Sequence, residues 1–223
     1  MLNETTYIPG LFLISIFAEF IANDKPIFVV FDSQIHFPVF EKISETYYGG
    51  EFETEADYKD PFVRDLINKK GFSVMPLIEY SYDTINYDLK VPSPSPPTFE
   101  NLLGTDDQGR DVLARLIYGF RISVFFGLTL TILSSVIGIL AGGIQGFYGG
   151  KIDLFGQRFI EIWSGLPVLY LLIIISSFVE PSFWILLSIM LLFSWMSLEG
   201  VERAEFLRAR NFEYVKAAKA LGV

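Results

Sequence analysis

Residues Ile122–Ile144 read ISVFFGLTLTILSSVIGILAGGI, 23 positions without a charged side chain between Arg121 and Lys151. As a helix rising 1.5 Å per residue the stretch is about 34 Å long, enough to cross a hydrocarbon core of about 30 Å with some tilt. Backbone amides cannot go unpaired in lipid, so such a segment must close its own hydrogen bonds as a helix. Two further uncharged runs follow, Ile162–Val179 and Pro181–Leu198. Three such runs exceed what a soluble domain of this size can bury. The sequence therefore predicts membrane spans at about 122–144, 162–179 and 181–198. Only Glu180 and Pro181 separate the last two, which predicts a helical hairpin with a very tight turn. At the other end, Thr5–Ala18 is uncharged and Glu19 interrupts it. Its Asn3-Glu4 flank lacks the basic start of a signal peptide, so residues 1–22 read as a first membrane helix.

The rest of the composition agrees. The chain has 223 residues, 51% hydrophobic and 19% charged, with a mean hydropathy of +0.41. Ordinary soluble domains are about 25% charged. Cysteine is absent and His36 is the single histidine, which removes disulfides, thiolate chemistry and His- or Cys-based metal sites. No cofactor, metal or catalytic residue is expected. A net charge of −9 argues against nucleic acid as a partner.

Charge also sets orientation. Residues 23–100 carry 14 Asp and Glu against 7 Lys and Arg, a net of −7, and residues 200–223 carry 5 basic against 3 acidic, a net of +2. Basic loops stay inside. Lys151 with Arg158, and the tail with Arg203, Arg208, Arg210, Lys216 and Lys219, are expected to be cytoplasmic. The acidic segment 23–102 is then outside. Arg110, Arg115 and Arg121 dissent, partly offset by Asp106, Asp107 and Asp111. The outer segment reads as mostly irregular, with a Pro-rich spacer at Val91–Pro97. Phe28–Phe31 reads as a short strand. A short helix is expected after Asp60-Pro61, the acid as cap and the proline at the first helical position.

Several positions stand out for packing or contact. Gly138, Gly142, Gly146 and Gly150 recur every four residues and give a helix one smooth stripe for close approach of a neighbour. Pro167, after Gly165, is expected to kink the third span. Glu161 is expected to pair with Arg158 at the membrane edge. Residues 202–222 read as one charged helix, with Tyr214, Lys216, Ala217, Ala218, Leu221 and Gly222 at a slim end. Small residues there favour docking into a groove of a cytoplasmic partner over lying on lipid.

Two stretches carry a family resemblance. Leu103–Ser123, LGTDDQGRDVLARLIYGFRIS, resembles the signature before the second span of dipeptide and oligopeptide ABC-importer permeases, through Gly104, Asp106, Gly109, Arg110, Asp111 and Arg121. Glu213–Val223, EYVKAAKALGV, resembles the start of their EAA loop, with Lys216 where the pattern usually begins with Glu. Gly149–Asp153 and Trp163–Pro167 match in place and character. The long outer insertion is similar to the branch that imports microcin C-type peptides. The resemblance implies an all-α, multi-pass bacterial inner-membrane protein, part of a type I importer transmembrane domain (103–223), with an irregular periplasmic insertion between its first two helices. It also implies a chain that stops within the EAA loop, short of two further helices. The implied partners are a second permease subunit, cytoplasmic ATP-binding subunits, a periplasmic solute-binding protein and a peptide substrate. No G-x-x-x-x-G-K-[ST] loop is present, so ATP would be handled by another subunit. The competing reading is a membrane-anchored sensor or assembly factor, with 23–100 as its binding module. An intramembrane enzyme is disfavoured, because the spans hold no paired carboxylates, His cluster or Ser–His arrangement.

Overall fold

The computed structural model describes residues 4–222; residues 1–3 and 223, which the expected first and last segments include, lie outside the described residues. The chain divides into two compact units, 1–124 and 125–223.

The first unit opens with α1 (Glu4–Ile16) and a four-residue α2 (Ala18–Ile21). The expected single helix over 1–22 is thus two pieces, meeting at Phe17, whose backbone (φ −93°, ψ 25°) leaves the helical region. The segment that follows is only partly irregular: residues 75–111 carry no strand or helix, but those before them hold a small sheet and a helix. Strands β1 (Phe28–Phe31), β2 (Gln34–His36) and β3 (Gly71–Val74) form an antiparallel sheet in the order β2-β1-β3. Asp32 and Ser33 form the β1–β2 turn with φ of 47° and 65°, tolerable for a short polar side chain. Gly71 approaches the Val30 carbonyl so closely that a Cβ would collide with it. Asp60 accepts the Phe62 N–H at 2.8 Å and caps α3 (Pro61–Lys70), with Pro61 at its start.

This corrects the all-α expectation. Val29 and Phe31 alternate inward along β1, while Val63 and Ile67, four apart on α3, meet them with Tyr48 and Tyr58. Period-two and period-four apolar patterns converge on one small core. Burial drives the Tyr48 and Tyr58 hydroxyls to higher pKa, and they face each other at 3.2 Å. His36 lies on the rim, 2.7 Å from the Tyr47 hydroxyl. A second cluster joins Ala18 and Ala22 to Ile78, Tyr80, Ala114 and Tyr118.

Helix α4 (Val112–Tyr148) has 37 residues, about 55 Å of helix, so it begins ten residues before the expected span. The second unit continues with α5 (Gly150–Ser164), α6 (Val168–Ser176), α7 (Phe183–Ser194), α8 (Met196–Ala209) and α9 (Glu213–Ala220). Phe183–Ala209 together are apolar and long enough to cross a membrane, as is α4; α5 and α6 form a pair bent by 63°. The expected third span, 162–179, is therefore not one straight helix. Pro167 has no N–H to donate and disfavours helix at Leu166, so the chain breaks over 165–167. The tight turn at 180–181 becomes a six-residue connection, 177–182, closed by the Ser182 hydroxyl accepting the Ile185 N–H at 3.3 Å. The single helix over 202–222 is also two, with α8 ending at Ala209 and α9 starting at Glu213. Arg158 reaches Glu161 at 2.5 Å.

Candidate functional site

The 104–121 residues build the start of α4. Gly104 and Gly109 take φ of 75° and 81°, left-handed values that glycine adopts without penalty. A Cβ at Gly104 would strike the Ser95 carbonyl. Between them Asp106 Oδ1 accepts the Gln108 and Arg110 N–H groups, both at 2.9 Å, and Oδ2 accepts Arg110 Nε at 2.8 Å. Arg115 also pairs with this carboxylate. Partial burial favours the neutral acid, but the Arg110 and Gln108 donors outweigh it and hold the pKa down to about 2. Asp111 is fully buried. It accepts Ala114 N–H at 2.7 Å and Asn101 Nδ2 at 2.8 Å, capping α4, and its charge suits the positive end of the helix dipole. Further along, Arg121 Nη1 meets Glu19 at 2.8 Å and lies over the Tyr118 ring. Tyr118 in turn donates to the Ala22 carbonyl at 2.9 Å. Five of the six signature residues therefore share one turn. The sixth, Arg121, fastens α4 to α2.

Gly138, Gly142 and Gly146 lie against α8. Cβ atoms there would come within 2.8 Å of the Trp195 carbonyl oxygen, 2.5 Å of that of Glu199 and 2.6 Å of that of Arg203. The neighbour is backbone at each step, so the two helices touch main chain to main chain. Gly150, the fourth of the series, faces open space at φ 57° and begins α5 instead.

Beside this seam lies a polar cluster that sequence reasoning missed. Glu199 on α8 is 2% exposed and Gln145 on α4 is 7% exposed. Gln157 on α5 donates to both, at 3.1 Å each. Asp153 on α5 accepts two hydrogen bonds from the Arg203 guanidinium, one of them 2.8 Å from Nη2. The available signal was Glu199 and Arg203 four apart on one helix face, with Asp153 the only acid in the preceding basic loop.

Helix α9 stands open. Tyr214 is 70% exposed and Leu221, one residue past the helix, 83% exposed. Lys216 and Ala217 are exposed and Ala218 is half-buried. Gly222 has φ 84°, and a Cβ there would meet nothing within 4 Å beyond its chain neighbours. The six residues expected to dock thus share a short, largely exposed segment, with the Tyr214 ring 5.7 Å from that of Phe212. It is separated from α8 by a bend where Asn211 Nδ2 donates to the Leu207 carbonyl at 3.0 Å.

Residues 113–223, which hold the seam, the polar cluster and α9, match the family of binding-protein-dependent transport system inner membrane components. The chain is a member of this family over those residues. Among relatives, it is 54% identical over 213 residues to the inner membrane ABC transporter permease protein YejE of Escherichia coli K12, which covers 96% of this chain and 62% of that protein. It is 52% identical to the peptidoglycan transport system permease protein YejE of Agrobacterium fabrum, with the same coverage. The dipeptide transport system permease protein DppC of Bacillus subtilis is 35% identical over 127 residues, 57% of this chain and 40% of that protein. The chain thus spans 62% of the length of both YejE relatives. Family membership and the long apolar helices make it a multi-pass protein of the bacterial inner membrane.

Proposed function

We propose that this chain is a permease component of an ATP-driven importer of peptides or peptide-like compounds, of the microcin C type. The carrying observation is the identity of 54% to an ABC transporter permease over 96% of the chain, insertion included. In this reading the spans form part of the path, a second permease completes it, and a periplasmic solute-binding protein delivers the peptide. A separate subunit hydrolyses ATP and docks on Tyr214, Lys216, Ala217, Ala218, Leu221 and Gly222. Exposed apolar and small residues on a charged helix favour a protein groove as their destination.

The test is uptake. Cells deprived of this permease should stop accumulating a radiolabelled tripeptide and should resist a toxic peptide–nucleotide conjugate. Restoring the gene should return both. Unchanged sensitivity and uptake after deletion would refute the reading.

Sidedness has its own check. The charges of −7 over 23–100 and +2 over 200–223 favour a periplasmic insertion and cytoplasmic residues 199–223. Because the chain has no cysteine, Glu100→Cys and Asn211→Cys, both at exposed positions, give single labels. An impermeant thiol reagent should reach Cys at 100 in intact spheroplasts, and Cys at 211 only after lysis. The opposite pattern would invert the topology.

A further inference from the structure

Helix α5 is bounded by two breaks. At its start, Gly149 and Gly150 have successive φ values of 64° and 57°, a backbone that only glycine adopts without penalty. At its end, 165–167 carries the 63° bend into α6. Neither junction continues α5 as a straight helix. What fixes it are side chains from the α7–α8 arm, together with Gln145 on α4, whose amide oxygen accepts from Gln157 at 3.1 Å. Asp153 receives the two-pronged Arg203 guanidinium, and Gln157 donates to the buried Glu199. Arg210 lies across Gly149, and Trp163 Nε1 donates to the Leu192 carbonyl at 3.0 Å while its ring stacks on Phe193. The contacts run the length of α5, and the strongest by geometry is the bidentate pair.

We propose that the Asp153–Arg203 pair is a clamp that makes α5 travel with α8, so that displacement of the α9 end is delivered to the bend before α6. The proposal rests on the permease reading, in which α9 is the element an ATPase pushes. Helix α4 needs no such clamp, since its glycines already meet the α8 backbone. The residues are positioning residues: they touch neither peptide nor nucleotide. Arg203 suits the role because a planar fork resists rotation about a carboxylate better than a point charge does. Coupling carried this way requires a physical link whose removal separates the two events it joins.

The experiment uses the complete transporter in proteoliposomes, reading peptide uptake and ATP hydrolysis together. Wild type must import, which tests the permease reading separately. Asp153→Asn and Arg203→Gln should each cut peptide imported per ATP hydrolysed by roughly tenfold while hydrolysis stays within about twofold, the sign of a broken link. The exchange Asp153→Arg with Arg203→Asp should recover a large part of the ratio. A merely structural pair would instead lower yield, hydrolysis and uptake together, and that result overturns the proposal, as does an unchanged ratio. Should a charge variant fail to assemble, Asp153→Cys with Arg203→Cys decides the matter in a chain with no other cysteine. Bridging the pair with a bifunctional thiol reagent of side-chain length should restore uptake if α5 and α8 move as one. A bridge that blocks uptake means the helices must part during the cycle, and the clamp is wrong.

Discussion

Gly142→Leu is expected to lower the yield of intact, detergent-solubilised transporter by roughly tenfold or more, with a matching fall in thermal stability. The reason is what stands opposite. A Cβ at this position would lie 2.5 Å from the Glu199 carbonyl oxygen, 2.9 Å from the Arg203 nitrogen and 2.9 Å from the Glu202 Cβ. Two of these are main-chain atoms of a helix and cannot swing aside. The helices must separate, and the loss spreads to Gly138 and Gly146 and to the Gln145–Gln157–Glu199 bonds beside them. Overpacking costs about 1–3 kcal/mol and occasionally more, and every 1.4 kcal/mol is tenfold in an equilibrium. Gly127→Leu is the control. It lies on the same helix, and a Cβ there meets nothing within 4 Å. The change even favours helix, since Leu exceeds Gly in propensity by somewhat under 1 kcal/mol. Size-exclusion yield and the midpoint of thermal aggregation should separate the two variants clearly. Equal behaviour of Gly142→Leu and wild type would mean the seam opens without cost.

The same seam shows what the sequence makes legible. Four-residue spacing marks Gly138, Gly142 and Gly146 as a close-approach face, because small-residue periodicity is local information. That the opposing element is α8 is not local, and nothing in the spacing names it. The break at 165–167 follows from Pro167, whose missing N–H is a property of one residue. The break after Ala209 does not follow from composition. Residues Arg208–Tyr214 contain neither Gly nor Pro, and the chain leaves the helix where Asn211 turns its side-chain amide onto the Leu207 carbonyl. Asn favours such local bonds only modestly, too weak a signal to end a helix on paper. In the insertion, the Asp60-Pro61 start and the β1 strand were readable from capping and β-branched content. The sheet was not. Its strands are three or four residues long, and β3 pairs with β1 across forty residues, a relation set by a shared core with α3. At the candidate site, Asp106 and Asp111 were singled out by resemblance, while their physical roles, closing a turn and capping α4, needed coordinates. The Asp153–Arg203 pair was missed because basic residues near membrane edges read first as topology signals, and pairing across fifty residues leaves no spacing to detect.

Ala217→Trp is expected to weaken recruitment of the ATPase subunit by about tenfold to a hundredfold while leaving membrane insertion intact. Ala217 is the informative position because Gly222 has φ 84°, where an indole side chain would add strain of its own. Ala217 sits inside α9 and is exposed. Exchanging Ala for Trp in a helix costs only about half a kcal/mol in propensity, so the chain itself should fold as before. The effect then falls on whatever α9 meets. A groove shaped for a methyl group must expand to accept an indole, and crowding of that kind costs about 1–3 kcal/mol. At 1.4 kcal/mol per decade a pull-down of the ATPase from solubilised membranes should lose most of its signal, and peptide uptake should fall with it. Ala217→Ser, which keeps the slim profile, should bind nearly as well as wild type. A helix lying on lipid headgroups predicts the reverse order, because tryptophan favours the membrane interface; Ala217→Trp would then hold the membrane at least as firmly and leave the ATPase untouched. Undiminished recruitment by Ala217→Trp removes this face of α9 from the contact. Recruitment lost in Ala217→Trp and kept in Ala217→Ser puts the partner on the face that also carries Tyr214 and Leu221, the most exposed large apolar side chains among the described residues after α8.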